Sequence, residues 1–285
     1  KDEANLKYPD LGAVVSRELG RMDSPVPDYV NFYTSTEGRS SSKVSPGFLG
    51  ARYAPISLYD GEKLTLPNIK KLDQITEGDH EARADLRDLL SRRFEQGRET
   101  GSVRSHAAAY ARVHGLMSCE KLFDLSDEPQ KVKDMYGPTQ FAEQVMMARR
   151  MIEAGVPFVR VSRAWWDSHG QNFETHQELV PELDRVLAAL IDDLKQRGML
   201  DDVLIVTMGE FGRTPRINAS LGRDHFATAW SASLHGAGIQ GGAVYGKTDD
   251  KCEKVVENEI GAGELFATIL EAAGIDSSKE YHVGA

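Results

Sequence analysis

The alternation of apolar and polar positions sharpens along the chain. In the first 80 residues it is interrupted by Pro25-Val26-Pro27 and by Gly38-Arg39-Ser40-Ser41-Ser42, so this part reads as loop-rich. Within it, Leu11, Val14, Val15 and Leu19 fall at helical spacing and predict a short helix over 9–20. Phe48 to Pro67 carries aromatics and glycines without a clean period, which suits an Ω-like surface segment or a cap over a cleft. From 80 to 125 the pattern is helical. Leu86, Leu89, Leu90 and Phe94 share a face, and Val103, Ala107, Tyr110, His114 and Met117 continue it after Gly101. The stretch Asp124-Leu125-Ser126-Asp127-Glu128-Pro129 breaks the pattern.

Beyond 138 the periods are clear. Pro138-Thr139 opens a helix with Phe141, Val145, Ala148 and Ile152 on one face, and Gly155 closes it. Val156 to Val161 reads as a strand. A loop, Trp165-Trp166-Asp167-Ser168-His169-Gly170, leads to a long helix from Thr175 to Arg197. Leu179, Leu183, Val186, Leu187, Leu190, Ile191 and Leu194 face inward on it, and Gly198 ends it. Val203 to Met208 is continuously apolar, the pattern of a strand buried on both faces. Trp230 to Leu234 is another short strand, and Ala262 to Ala273 a closing helix ended by Gly274. The Met146-Met147 pair reads as core filler. Helix alternating with strand predicts the α/β class, as a three-layer α/β/α arrangement with a mostly parallel sheet. One domain over 1–285 is expected, with 1–137 a loop-rich and helical cap-like part and 138–285 the core sheet part.

Composition narrows the function classes. Of 285 residues, 40% are apolar, enough for a sizeable core. No run approaches the length of a membrane span. With 44 acidic against 34 basic residues the net charge is −10, which argues against a nucleic-acid or anionic-membrane partner. Cys119 and Cys252 form no CxxC, so neither a cysteine zinc site nor a thioredoxin-type motif is expected, while a single disulfide and the compartment stay open. The opening Lys1-Asp2-Glu3 and the ending Val283-Gly284-Ala285 read as those of an excised or processed chain, which leaves localisation open.

Ligands of open parallel sheets bind beyond the carboxyl ends of the strands. The strand over 156–161 leads to Asp167 and His169, then to Asn172 and His176. The strand over 203–208 leads to Glu210 and Arg213, and Gly222-Arg223-Asp224-His225 precedes the strand at 230. Carboxylates and imidazoles together suit zinc, manganese or a similar ion. Each residue also has a structural reading. Asp167 and His169 suit the loop before a helix start, and His176 suits capping or surface exposure. Glu210 would need a partner at the end of a buried strand, and Arg213 suits that ion pair. Trp165 and Trp166 read as packing rather than as a substrate platform. His80, His106, His114, His235 and His282 have no clustered partners in sequence.

The order of these parts resembles that of the alkaline-phosphatase-like superfamily, which includes sulfatases and cofactor-independent phosphoglycerate mutases. The matching text is Asp167 and His169, the helix to Gly198, Leu200-Asp201-Asp202-Val203-Leu204-Ile205-Val206, Glu210, His225, Gly236-Ala237-Gly238-Ile239 and the closing helix from Glu264. More closely, the chain is similar to the bacterial family catalogued as domain of unknown function 1501. That similarity is carried by Met147-Ala148-Arg149-Arg150, Trp166-Asp167-Ser168-His169-Gly170-Gln171-Asn172-Phe173, Gly209-Glu210-Phe211-Gly212-Arg213-Thr214-Pro215 and Gly222-Arg223-Asp224-His225. Tyr8-Pro9-Asp10-Leu11-Gly12 and Gly47-Phe48-Leu49-Gly50 fit it too.

The resemblance implies a metal-dependent hydrolase of phosphate or sulfate esters with one or two divalent ions, zinc, manganese or calcium. Asp167, His169, Glu210, Asp224 and His225 would form the metal shell. Arg213, Arg223 and Asn172 would face a small anionic ester. It also implies export to the periplasm or the exterior. Two departures stand out. Glu210-Phe211 occupies the place of the superfamily's Asp-His, and Asp167 and His169 stand closer in sequence than the usual three intervening residues. The superfamily's first strand and its nucleophile lie upstream of a segment like 1–20. The chain is therefore expected to be incomplete at its N-terminus, and no nucleophile is named. Phe211 motivates an alternative, a non-catalytic exported binding or structural protein with a degenerate metal site.

Overall fold

The computed structural model describes residues 6–21, 24, 26–33, 35–36, 39–40, 44–59, 74–96, 110, 115 and 119–281. In chain order the first elements are α1 (Leu11–Leu19), β1 (Tyr29–Tyr33), β2 (Ser35–Thr36), β3 (Arg39–Ser40), β4 (Ile56–Tyr59) and α2 (Glu77–Glu95). Then come α3 (Gln130–Tyr136), α4 (Gln140–Glu153), β5 (Phe158–Val161), α5 (Asn172–Gln196) and β6 (Ile205–Met208). The last are β7 (Gly212–Arg213), β8 (His225–Phe226), β9 (Ala232–His235), β10 (Lys247–Thr248), β11 (Val255–Glu257) and α6 (Ala262–Ala272). The described residues thus make a mixed α/β protein with six α-helices and a three-strand parallel sheet. None of these helices is long and apolar enough to cross a membrane. The chain divides into two units, one of 1–127 with 147–162 and one of 128–146 with 163–285.

The first unit is built on the sheet β4-β1-β5, parallel throughout. Val30 stands in register with Ile56 and Val159, and Phe32 with Leu58 and Val161. These side chains share a face, and Met147, Met151 and Val156 close the cluster over it. Strand β1 corrects the loop-rich reading of the N-terminal region. Its first four residues are fully buried, as befits a central strand, yet proline and glycine signals flank it and Asn31 interrupts its apolar run. The surface or cap reading of Phe48 to Pro67 is likewise replaced where the structure describes it. Two short 3-10 turns there lead into β4, and 60–67 lie outside the described residues.

Helix α1 starts where predicted because Asp10 caps it, its Oδ1 accepting the Ala13 N–H at 2.9 Å. Gly12 lets it lie on the Tyr29 ring, since a Cβ there would come within 2.4 Å of Tyr29 Cζ. Replacing Asp10 by Ala is expected to cost about 1 kcal/mol in urea unfolding, and an unchanged midpoint would show the cap to be idle. Helix α2 opens on a capping box between Thr76 and Asp79. Its predicted apolar face, Leu86, Leu89, Leu90 and Phe94, is exposed. Tyr110 lies with its ring under the Arg87 guanidinium at 3.7 Å, whereas Val103, Ala107, His114 and Met117 fall outside the described residues.

Helix α4 is nucleated by Thr139, whose Oγ1 accepts the Ala142 N–H at 3.2 Å. Of its predicted face only Val145 is fully buried. Ala142, Met146, Met147 and Met151 are its other buried apolar residues, beside the buried polar Gln144 and Arg149, so the methionine pair is core as expected.

In the second unit α5 begins three residues before its predicted start, at Asn172, and buries Leu179, Val186, Ala189 and Leu194. Helix α3 is tied to it by polar contacts. The buried Asp193 carboxylate accepts from Tyr136 Oη at 3.1 Å and from Arg197 Nε at 2.7 Å, which satisfies a charge that burial would otherwise penalise. Strand β6 pairs antiparallel with β9, from Ile205 opposite His235 to Met208 opposite Ala232. This corrects the expectation of a doubly buried parallel strand, for β6 is only half-buried and Met208 is exposed. The segment 209–231 between them contains no crossover helix, so the chain returns in the opposite sense. That returning segment carries most of the candidate chemistry.

Candidate metal centre

Two stretches of the second unit are stitched together by main-chain bonds. The loop before α5 holds Asp167 and His169, and the segment after β6 holds Glu210, Arg213, Asp224 and His225. Gln171 N–H donates to Ser220 O at 3.2 Å, Asn172 N–H to Leu221 O at 2.9 Å, and Arg223 N–H to Ser168 O at 3.0 Å. Gly170 and Leu221 form an isolated antiparallel bridge. Gly222 makes this approach possible, and Gly212 lets the second stretch fold back on itself. A Cβ on Gly222 would lie 2.0 Å from the His169 carbonyl carbon, and one on Gly212 would lie 1.9 Å from Ala229 O. The short β7–β8 ladder then sets Arg213 opposite His225.

Three ligand atoms converge as a result. Asp167 Oδ1 stands 2.9 Å from His169 Nε2 and 3.1 Å from His225 Nε2, and the two nitrogens are 3.2 Å apart. Atoms bonded at about 2.0–2.2 Å to one ion, at tetrahedral or octahedral angles, stand roughly 3 Å apart. The triangle therefore has the dimensions of a metal-ligand face, and its donor set suits zinc or another divalent ion of similar preference. All three side chains are exposed, so the face is open to solvent.

Hydrogen-bond donors around the two aspartates set their electrostatics. Burial raises the Asp167 carboxyl, but hydrogen bonds from Arg213 and His225 and the charge of Arg213 outweigh it, leaving that carboxyl below the usual carboxylate range. Arg213 bridges two acids: Nη1 donates to Asp167 Oδ1 and Nη2 to Glu210 Oε1 at 3.2 Å. Asp224 lies behind His169, with Oδ1 3.0 Å from Nδ1. Hydrogen bonds from His169 first, then from Asn218, hold the Asp224 carboxyl low as well.

The predicted site residues thus separate. Asp167, His169 and His225 form the converging face. Glu210 reaches it only through Arg213, and Asp224 only through His169. Arg223 donates to the carbonyls of Thr214 and Pro215 at 2.6 and 2.7 Å, fastening one loop. Asn172 Oδ1 accepts from Ser168 Oγ at 2.9 Å, fastening the other. His176 stands apart from the face, its Nδ1–H donating to Asn172 O at 2.7 Å and its ring set edgewise on Trp166. Trp165 is exposed, with a φ of 75°. Phe211 covers His225, ring centroids 4.4 Å apart. Sequence reasoning missed Asn218, whose side chain meets both His169 and Asp224. An asparagine four residues before a glycine in an Asn-Ala-Ser-Leu-Gly turn was the available signal.

Comparison with known proteins gives a family. A family model described as "Protein of unknown function (DUF1501)" matches residues 2–284. No curated protein and no solved structure matches the chain.

Proposed function

The chain belongs to the DUF1501 family, and from its site we propose that it is a metal-dependent hydrolase of phosphate or sulfate esters, of the alkaline-phosphatase-like superfamily. The observation that carries this reading is the convergence of Asp167 Oδ1, His169 Nε2 and His225 Nε2 within 3.2 Å of one another. These three residues would hold the ion. When bound, a divalent ion supplies Lewis-acid polarisation of an ester oxygen and lowers the pKa of a nucleophile. Arg213 brings a positive charge to this face of a net-acidic chain, where an anionic ester needs it. Glu210 orients that guanidinium from its far side.

The test is metal content of the full-length natural protein, together with turnover of aryl phosphates and aryl sulfates. Stoichiometric zinc, manganese or calcium with chelator-sensitive turnover supports the reading, and the absence of both defeats it. Phe211 favours a second reading, since it places a ring against His225 where a further ligand would otherwise stand. A non-catalytic binding protein of this kind would hold a metal stoichiometrically yet turn over neither ester class.

Arg213 separates anion binding from metal binding. Replacing it by Gln is expected to weaken binding of inorganic phosphate to the zinc-loaded protein by on the order of tenfold or more, since a charge-assisted hydrogen bond is lost. Zinc affinity should not fall, because the guanidinium shares Asp167 Oδ1 with the metal face. Calorimetric titration with each ion reads both. A parallel loss of zinc would make Arg213 a structural tie instead.

A further inference from the structure

We propose that Asp224 is a positioning residue that fixes His169 in its Nδ1–H tautomer, so that Nε2 is the atom presented beside Asp167 and His225. This rests on the metal reading above and assigns Asp224 a role other than ligand. The geometry is a chain of three groups. Asn218 Oδ1 accepts the N–H groups of Ser220 and Gly222, each at 2.9 Å, and its Nδ2 donates to His169 O at 3.0 Å and to Asp224 Oδ1 at 3.1 Å. Flipping the amide would set donor against donor and acceptor against acceptor, so the Asn218 orientation is determined by its neighbours. The Asp224 main chain is held in turn: its N–H donates to Thr214 Oγ1 at 3.1 Å, and its C=O accepts the Thr214 N–H at 2.9 Å.

A carboxylate held in this way accepts and cannot donate. Opposite Asp224 Oδ1, His169 Nδ1 must therefore carry a hydrogen. In the neutral ring Nε2 then bears a lone pair, aimed at the same small region as Asp167 Oδ1 and His225 Nε2. With the other tautomer, Nδ1 would face the Asp224 carboxylate lone pair to lone pair, and the Nε2 hydrogen would be directed at His225 Nε2 and at Asp167 Oδ1, 2.9 Å away, an oxygen that Arg213 and His225 already occupy. A hydrogen-bonded carboxylate behind a metal-ligating histidine is the arrangement that orients such ligands and raises their basicity.

Two measurements test the role. Long-range proton–nitrogen NMR of metal-free, nitrogen-15 histidine-labelled protein, recorded at about pH 8 above the ordinary histidine range, reads the tautomer directly. The His169 signal is assigned by its loss in His169→Gln. Wild type should show the Nδ1–H form. Asp224→Ala should lose that preference, and Asp224→Asn should keep it, because its amide oxygen still accepts. Titration with zinc alone should show Asp224→Ala weakened about 10–100-fold and Asp224→Asn close to wild type. An Nε2–H tautomer in wild type, or an Asp224→Ala affinity equal to wild type, overturns the proposal. So does an Asp224→Asn loss as large as that of Asp224→Ala, which would make Asp224 a ligand. A wild type that binds no zinc defeats the metal reading, while the tautomer of the metal-free protein still decides what Asp224 does.

Discussion

Alanine at position 222 is expected to part the two loops of the candidate centre and to destabilise the second unit by roughly 3–5 kcal/mol, from overpacking plus lost hydrogen bonds. The added Cβ would stand 2.0 Å from the His169 carbonyl carbon, 2.1 Å from its oxygen and 2.3 Å from Gly170 N. All three are backbone atoms, so no rotamer change relieves the overlap. The bonds nearest the clash are Gly222 N–H to Asn218 Oδ1, Asn218 N–H to Gly222 O, and Arg223 N–H to Ser168 O, at 2.9, 2.9 and 3.0 Å. They must lengthen together, and His169 moves with its own carbonyl. Urea unfolding should show a lowered midpoint. Zinc affinity should fall by more than the roughly 10–100-fold that loss of one outer partner costs. An unchanged midpoint would mean that the loops meet less closely than described.

Asp167→Ala attacks the same face without touching the fold. Its Oδ1 is the one atom addressed by His169, His225 and Arg213 together. Removing it should lower zinc affinity about 1000-fold, beyond an outer-partner effect, because a direct ligand is lost. Stability of the metal-free protein should change by less than about 1 kcal/mol, since the side chain is 59% exposed and its ion pairs are screened by solvent. Calorimetric zinc titration and urea unfolding read the two effects separately. Asp167→Asn, which keeps the shape, should fall between wild type and Asp167→Ala in affinity. Retained zinc affinity in both variants would remove Asp167 from the metal face.

The two substitutions also show what was legible before folding. The residue types at 167, 169 and 225 announce metal chemistry in a bare sequence, because few other side chains offer oxygen and imidazole donors on loops between predicted elements. Gly222 announces only a turn. Its demand for contact with His169 comes from a segment more than 50 positions away and leaves no local mark.

The fold divides in the same way. Helices α1, α5 and α6 and strands β5 and β6 were determined by the sequence itself, because their apolar residues repeat at the period of one conformation and caps or glycines bound them. Strand β1 was hidden, since proline and glycine signals flank it and Asn31 interrupts the apolar run that would otherwise mark a central strand. Pairing β6 with β9 antiparallel, and dividing the acids and arginines into metal face, orienting partner and loop fasteners, was decided only by tertiary structure. The physical reason is common to both. A strand's partner and a side chain's hydrogen-bonding role are properties of a contact, and these contacts join residues far apart in sequence, whereas local patterning reaches only a few positions.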